Sequence, residues 1–258
     1  MKVGWIRMKT ARREISDRKC GLNMFSDVLK IIHHRFKSFP DWINRISDPR
    51  HQSYIKYGQN IIFMEMLMAS CCFLKSMRSM TKSFNDYTVI NNFSILLDEK
   101  FNELPHGDIV NNYLKEVDVD QMRDILTFMV KDLIYSRVLD EYRIDGKYHK
   151  VIIDATLLHS YDIKHTEGSL VTHHSSGEVT YHNDALAATL VFGNVSAAID
   201  FEWIENSEVG YVKQDCELNA AKRLLRRLKK TYKSLPICIG MDTLYLGESI
   251  LEICKENR

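Results

Sequence analysis

The sequence predicts an α+β protein, in which an all-helical region, residues 1–142, precedes a mixed β-sheet with flanking helices, residues 143–258. In the first region, apolar residues recur at helical spacing. From residue 143 onward, short apolar runs rich in β-branched residues and bounded by turn residues predict strands. A helix between the last two predicted strands provides the crossover that a mixed sheet needs. We therefore place the domain boundary near residue 143.

Composition limits the class of protein further. The chain has 258 residues, 45% of them apolar and 27% charged, with only 4 Pro and 11 Gly, which excludes disordered and collagen-like proteins. The most apolar run, residues 61–74, is shorter than the ~18 residues that span a bilayer and contains Glu65. The first twenty residues have no apolar core of a secretory signal, and the six Cys form neither a zinc pattern nor a disulfide framework. We expect a cytoplasmic protein with no membrane partner.

The first region is predicted to contain five helices. They cover residues 26–36, 41–46, 54–84, 108–114 and 119–134. The third is apolar almost all round at its centre, which is typical of a buried helix. Asp108 is the predicted N-cap of the fourth helix. The last two helices fit either a helix-turn-helix or an ordinary helical hairpin, and neither is strongly basic.

The second region is predicted to contain four strands and two helices. The strands are 150–153, 180–192, 197–204 and 237–241, and the helices are 215–232 and 247 to the end. Gly193 and Asn194 predict a tight hairpin between the second and third strands. The first and fourth strands each end on an aspartate, Asp154 and Asp242.

A carboxylate that follows a buried strand is held by a rigid backbone and still reaches solvent. Two such groups side by side repel each other, which favours a bound divalent cation. Mg²⁺ prefers carboxylate oxygens and retains several waters. Two ions ~4 Å apart can activate a water and stabilise the leaving oxygen of a phosphoryl displacement. Asp154 and Asp242 are thus a candidate two-metal site for Mg²⁺, with Mn²⁺ as a substitute; alternatively, each only caps the turn or helix that follows it.

Charge is unevenly distributed along the chain. Residues 1–150 carry a net charge of +5 and residues 151–258 a net charge of −4, and the basic excess is strongest in residues 1–50. A basic first part and an acidic second part suit a protein that binds a polyanion with one and metal ions with the other.

Two further groups of residues each admit two interpretations. His173, His174 and His182 could bind zinc or could lie on a polar surface hairpin. The basic face of helix 215–232 could be a solvated face or could contact phosphates. At the start of that helix, Asp215 and Glu217 suit the positive end of the helix dipole.

Several segments, in their order along the chain, resemble one known family. They are DPR (48–50), SMRSM (76–80), ELPHGDIVNNYL (103–114), KVIIDATLLHSYD (150–162), YHNDALAATLVF (181–192), DFEWIENSE (200–208), VKQDCELNAAKRLLRRL (212–228) and ICIGMDTLYLGESILEIC (237–254). The last five resemble the catalytic core of insertion-sequence DDE transposases of the IS-four-like branch, and the first three resemble the helical region of that branch. The resemblance extends from about residue 25 to the end of the chain.

This resemblance implies a ribonuclease-H-like core in which Asp154 and Asp242 match the first two acidic residues of the catalytic triad. It implies Mg²⁺-dependent cleavage and transfer of DNA strands at transposon ends. The implied partner is double-stranded DNA, at the transposon ends and at the target, and the implied active complex is a homodimer. The helical region, residues 1–142, would then bind DNA.

The sequence departs from the family at the third acidic residue. In the family this residue is a glutamate on a helix further downstream, whereas this chain ends one helix after Asp242. Glu248 and Glu252 lie on the wrong helix for that role. We therefore expect a truncated transposase with an incomplete ribonuclease-H-like core. Two alternatives are a catalytically inactive remnant that only binds DNA and a different ribonuclease-H-like nuclease without specificity for element ends.

Overall fold

The computed structural model describes residues 24–206 and 214–256. These residues form nine α-helices and a mixed five-stranded sheet, which confirms the predicted α+β class. The chain divides into two compact units between Ile125 and Leu126. This division lies upstream of the predicted boundary at 143, so the second unit includes helical residues as well as the sheet. In the described ranges, no helix is long and apolar enough to cross a membrane.

Helices dominate the first unit. They are α1 (Met24–Arg35), α2 (Phe39–Asn44), α3 (Gln59–Cys71), α4 (Met77–Phe84), α5 (Tyr87–Leu97), α6 (Gly107–Glu116) and α7 (Val119–Tyr135), the last of which continues into the second unit. The N-cap of α6 is His106 rather than Asp108. Fully buried apolar side chains of α3, α5 and α6 contribute to the core: Ile61, Ile62, Met68, Phe93, Val110 and Tyr113. The prediction of a buried helix is therefore confirmed for α3.

The predicted single helix over residues 54–84 is wrong, because α3 and α4 are separate helices. Phe73 has a φ of 58°, and a residue in this left-handed region cannot continue a right-handed helix. Ser76 then starts α4, since its hydroxyl accepts a hydrogen bond from the Ser79 amide at 3.1 Å and the Ser79 hydroxyl reaches back to the Ser76 backbone. This capping box satisfies amides that a new helix leaves without partners.

The second unit is built on the sheet. Its strands are β1 (His149–Tyr161), β2 (Leu170–His173), β3 (Val179–Phe192), β4 (Val195–Ile204) and β5 (Ile237–Gly240), and its further helices are α8 (Glu217–Thr231) and α9 (Glu248–Glu256). Strand β3 pairs antiparallel with β1 on one side and with β2 and β4 on the other, and β5 pairs parallel with β1. The crossover through α8 makes the sheet mixed, as predicted.

Two strand predictions need correction. Strand β1 does not end at Asp154 but continues to Tyr161, because β3 pairs with it as far as Tyr161 opposite Tyr181. The short strand β2 was not predicted, since its four residues lie between polar segments and are recognisable only by their pairing with β3. The Gly193–Asn194 hairpin is confirmed. Gly193 has a φ of 56°, and a Cβ there would lie 2.8 Å from the Tyr142 ring.

One face of the sheet is covered by helices. Helix α8 packs on β3 and β4, and α9 packs on α8. Val151 and Ile153 of β1 are buried in the same core as Leu224 and Leu228 of α8. Because alternate residues of a strand face opposite sides, Asp154 points away from this core.

The basic face of α8 is partly an internal ion-pair network. Arg227 donates from Nε to Asp200 Oδ2 at 2.8 Å and from Nη2 to Asp200 Oδ1 at 3.1 Å, and it also pairs with Glu202. Arg223 bonds to Asp215 at 2.7 Å and to Glu202 at 2.6 Å. These two arginines therefore attach α8 to β4 and to Asp215, which lies two residues before the helix.

We expect Arg227→Leu to lower the free energy of unfolding of the second unit by about 2–3 kcal/mol. Asp200 is 3% exposed, so the variant breaks a buried ion pair by removing the Arg227 cation, a change that costs about 3–5 kcal/mol in a dry site. A quarter of the Arg227 side chain is exposed, which reduces the loss. Urea unfolding followed by Trp203 fluorescence, in a chain with Trp5 and Trp42 replaced by Phe, measures it.

Arg226→Leu is the matched control, because the neighbouring Arg226 is exposed on the same helix. Its unfolding free energy should stay within about 0.5 kcal/mol of the parent chain. An equal loss in both variants would show that helix propensity or surface charge, and not the pair with Asp200, sets the stability.

Candidate functional site

The parallel pairing of β1 and β5 brings the two predicted site residues together. Its last pair is Ile152 opposite Gly240. Asp154 lies two residues after Ile152, and Asp242 lies two residues after Gly240. These residues are 88 positions apart in the sequence, yet Asp154 lies within β1 and Asp242 follows β5, the strand paired with β1. Their role as metal ligands stays a prediction.

Asp154 is held by the regular backbone of β1. It lies opposite Ala187 of β3, which has a small side chain. Its Oδ1 accepts a hydrogen bond from the Ala155 amide at 3.0 Å, and the residue is exposed. Asp154 is therefore fixed in position and accessible from solvent, although it does not end a strand.

Asp242 follows β5 and caps the short 3₁₀ helix Thr243–Tyr245. Its Oδ1 accepts hydrogen bonds from the amide and, at 3.1 Å, from the hydroxyl of Thr243. The interpretation that Asp242 caps the helix that follows it is thus correct, and this role uses its Oδ1. The residue is exposed, so capping does not remove the carboxylate from solvent.

A buried tyrosine three residues after Asp242 bonds to a third acidic residue. Tyr245 is 3% exposed, and its hydroxyl donates a hydrogen bond to Glu217 Oε2 at 2.9 Å. Burial raises the pKa of the Tyr245 phenol, and the hydrogen bond to Glu217 and the charges of Asp154 and Asp242 raise it further. The charges of all three carboxylates therefore act on one neutral hydroxyl.

Sequence reasoning missed this pair. Glu217 was assigned only a helix-dipole role, which its place as the first residue of α8 supports, and Tyr245 was not considered. Tyr245 lies three residues after Asp242, but no spacing in the sequence indicates contact with Glu217. The contact between Tyr245 and Glu217 becomes visible only when the segment after β5 packs against the start of α8.

The electrostatics of the site favour a cation. Neither Asp154 nor Asp242 forms an ion pair with a described Lys or Arg side chain. Two adjacent exposed carboxylates without a cationic partner suit a hard divalent ion that uses one or two protein carboxylates and keeps its waters. Within the described ranges there is no group of three or more His, Cys, Asp or Glu side chains arranged to hold a metal ion.

The other candidate residues lie apart from this arrangement. Glu248 and Glu252 are exposed on α9, and neither is among the charges that act on Tyr245. His182 bonds to Thr172 at 2.9 Å and to Asp184 at 3.1 Å. These contacts place His182 in the polar network of the β2–β3 pairing.

The residues that carry most of the basic excess lie outside the described part of the chain. Residues 1–23 contain seven Lys and Arg and two Asp and Glu. In the described part of the first unit, Arg78 and Lys82 are exposed and line a cavity of about 450 Å³ between α4 and the start of α6. Binding of a polyanion by the basic first part of the chain stays a prediction.

The candidate site thus consists of two exposed aspartates, Asp154 within β1 and Asp242 after the neighbouring strand β5. Both were predicted from the sequence. Comparison of the chain with protein-family models, with curated proteins and with solved structures found no match.

Proposed function

We propose that this protein is an insertion-sequence transposase of the DDE type, which cleaves and transfers DNA strands at transposon ends with Mg²⁺. The observation that carries the proposal is the parallel β1–β5 register, because Asp154 and Asp242 each lie two residues beyond its last pair, Ile152 opposite Gly240. The ordered set of segments that resemble this family supports it independently, because these same two aspartates match the first two acids of the family's triad.

The arrangement of the strands supports a ribonuclease-H-like core. Strands β1, β3 and β4 form an antiparallel set, and β5 joins the other side of β1 in parallel after the crossover through α8. The first and the last of these strands in chain order lie next to each other, and each leads to an aspartate. This is the placement of acidic residues that the resemblance implies.

The residues present fit divalent metal ions, since two accessible carboxylates share one site without a cationic partner. Asp154 and Asp242 would hold Mg²⁺, or Mn²⁺ in its place. When bound, such ions supply an activated water and stabilise the leaving oxygen of a phosphodiester. The rigid β1 backbone keeps the Asp154 carboxylate in one place, and the cap on Thr243 orients Asp242. The freed 3′ hydroxyl would then attack a phosphodiester of target DNA, so that a new P–O bond forms as the bond to the target strand's 3′ oxygen breaks.

One observation favours the alternative of a DNA-binding remnant without catalysis. The described residues contain no group of three or more metal-ligating side chains, whereas the triad of the family has three acidic residues. Two carboxylates alone would then bind ions too weakly to cleave DNA. Under this alternative, DNA binding persists and depends on salt.

A strand-nicking assay tests the proposal. The full chain is incubated with DNA from the ends of its parent element, with Mg²⁺, Mn²⁺ or EDTA. Cleavage at the element ends that requires the divalent ion supports the transposase. Salt-dependent binding without cleavage would overturn it in favour of the remnant, and equal cleavage of unrelated DNA would overturn it in favour of a nuclease without end specificity.

The basic excess leads to a separate prediction about DNA affinity. Replacing Arg12, Arg13, Arg18 and Lys19 with Gln should reduce the slope of log K against log salt concentration by up to about 3.6. Each lost phosphate contact removes counterion release from binding. Fluorescence anisotropy with labelled duplex DNA at several salt concentrations measures the slope.

The matched control removes the same charge from the described part of the first unit. Lys75, Lys82, Lys100 and Lys115 are exposed, and their replacement with Gln should change the slope less. If the two variants lose equal amounts, the basic N-terminal residues have no special part in DNA binding.

A further inference from the structure

A chain of hydrogen bonds joins three polar side chains on β2 and β3. The imidazole of His182 lies in the middle, with Nδ1 3.1 Å from Asp184 Oδ2 and Nε2 2.9 Å from Thr172 Oγ1. The register explains these contacts, because His182 lies opposite Leu170 and Thr172 is two residues further along β2. Residues two apart on a strand share a face, so the acid, the imidazole and the hydroxyl all project from the same side of the sheet.

The carboxylate decides the direction of these hydrogen bonds. An ionised carboxylate can only accept, so the proton of the neutral His182 ring lies on Nδ1 and is donated to Asp184. Nε2 then has a lone pair, to which the Thr172 hydroxyl donates. The other carboxylate oxygen, Asp184 Oδ1, is buried and has no hydrogen-bond partner among the described residues. This adds to the cost of rotating the His182 ring away from Oδ2.

The hydroxyl is accessible and the groups behind it are shielded. Thr172 is exposed, whereas the side chains of His182 and Asp184 are only 21% and 22% exposed. A reagent in solution can therefore reach the Thr172 oxygen. The partial burial of the other two groups strengthens the interaction between the imidazole and the carboxylate.

The edge of β2 supplies a backbone donor next to Thr172. Val171 directs its amide and its carbonyl away from β3, because they bond to the Gln214 side chain at 2.6 and 3.0 Å. Alternate residues of an antiparallel strand direct these groups to the same edge, so the His173 amide also points away from β3. The amide that follows a nucleophile can stabilise the oxyanion that forms when the hydroxyl attacks a carbonyl.

We propose that Thr172 is a nucleophilic hydroxyl that accepts an acyl group from an activated ester, with His182 as general base and Asp184 as the residue that positions the His182 ring. The Thr172 oxygen bonds to the carbonyl carbon while its proton moves to His182 Nε2. The bond from that carbon to the leaving alcohol then breaks, and the alcohol takes the proton from His182. The products are an acyl-threonine and an alcohol.

Two other threonines of the sheet provide matched comparisons. His174 Nε2 is 2.9 Å from Thr180 Oγ1, the same distance as between His182 and Thr172, but among the described contacts no carboxylate bonds to the His174 ring. Thr180 thus has the imidazole without the positioning acid. Thr156 of β1 is exposed, as Thr172 is, and has no described histidine contact, so it controls for access.

The test incubates the full chain with p-nitrophenyl acetate and locates the acetyl group by peptide mass spectrometry. Treatment with hydroxylamine removes threonine esters and leaves lysine amides. We expect Thr172 to be acetylated at least about 100-fold faster than Thr156 or Thr180, because a positioned general base contributes about 10²–10⁴-fold. Equal acetylation of the three threonines in the parent chain would overturn the proposal, and this comparison does not depend on the folding of any variant.

Variants then separate the roles of the two partners of Thr172. H182A should lose the rate advantage at Thr172 and regain part of it when imidazole is added. D184N should slow acetylation by about tenfold or more, since the imidazole is no longer held in the correct tautomer, and D184E should recover part of this loss. H174A should acetylate Thr172 at the parent rate, and circular dichroism verifies that each variant is folded.

The outcomes are independent of the proposed function, because none of these three residues belongs to the Asp154–Asp242 site. A parent-like rate at Thr172 in H182A excludes the general base and with it the proposal. A parent-like rate in D184N excludes the positioning role of the carboxylate. DNA cleavage by the same chain tests only the proposed function, so either can fail while the other stands.

Discussion

Asp154→Asn is expected to reduce Mg²⁺-dependent strand cleavage by about 1,000-fold or more. The metal ions would supply several kcal/mol of charge stabilisation, and each 1.36 kcal/mol corresponds to about tenfold in rate. An asparagine keeps the size of the side chain and can still accept the hydrogen bond from the Ala155 amide, but it has no charge to hold a cation. Nicking of element-end DNA, followed over time with Mg²⁺ and with Mn²⁺, measures the loss.

The same loss is expected for Asp242→Asn, because the two carboxylates would share the ions. Asp162→Asn is the matched control. Asp162 is an exposed aspartate just after β1, and its variant should cleave at the parent rate. Because positions 154 and 242 are also exposed, all three variants should unfold within about 0.5 kcal/mol of the parent chain. Parent-like cleavage by D154N would exclude the proposed site.

Glu65 leads to the second large effect, which concerns the stability of the helical unit. It lies in the middle of α3 and is 0% exposed. Neither of its carboxyl oxygens has a hydrogen-bond partner among the described residues. Burial raises the pKa of this carboxyl from 4.5 to about 8. The folded unit therefore holds a neutral carboxylic acid at pH 7, whereas the unfolded chain ionises it.

The sign of the pH dependence follows from this difference. Between pH 4.5 and pH 8 the folded state binds the proton and the unfolded state does not, so stability is greatest at low pH and falls as the pH rises. The loss approaches 1.36 kcal/mol per pH unit. We expect the helical unit to be less stable at pH 8 than at pH 5 by about 3–4 kcal/mol. Urea unfolding followed by circular dichroism at both pH values measures this loss.

Two variants isolate the contribution of Glu65. Glu65→Gln cannot ionise and should remove this part of the pH dependence. Glu65→Met removes the buried polar group altogether and should stabilise the unit at pH 7 by about 1–3 kcal/mol, the cost of an unsatisfied buried polar group. Glu116→Gln, at an exposed position on α6, is the control and should keep the parent profile. A pH profile of E65Q identical to that of the parent chain would contradict the assignment.

Helix prediction succeeded where the signal was local and failed where a single residue interrupted it. The apolar pattern of residues 54–84 correctly indicated burial, but apolar residues continue through Phe73, whose positive φ ends the helix. No property of a phenylalanine indicates a left-handed conformation. The capping residue Ser76 was a readable signal for the second helix, since serine is a common N-cap.

Strand prediction shows the same limit. The run from 150 to 153 was found because it is apolar and β-branched. The remainder of β1, to Tyr161, carries exposed polar residues as well as apolar ones and is extended because β3 pairs with it. Likewise, the basic face of α8 gave no indication that Arg223 and Arg227 pair with carboxylates of β4, since those partners lie more than twenty residues earlier in the chain.

The sequence by itself determined the α+β class, most of the helices, the tight hairpin and the two aspartates, because each depends on spacing within one short segment. Only the tertiary structure decided that the strand containing Asp154 pairs with the strand before Asp242 and that Tyr245 bonds to Glu217. The physical reason is distance along the chain. Residues 28 and 88 positions apart become neighbours only when β5 pairs with β1 and α8 packs on the sheet, and no local pattern encodes which residues will meet.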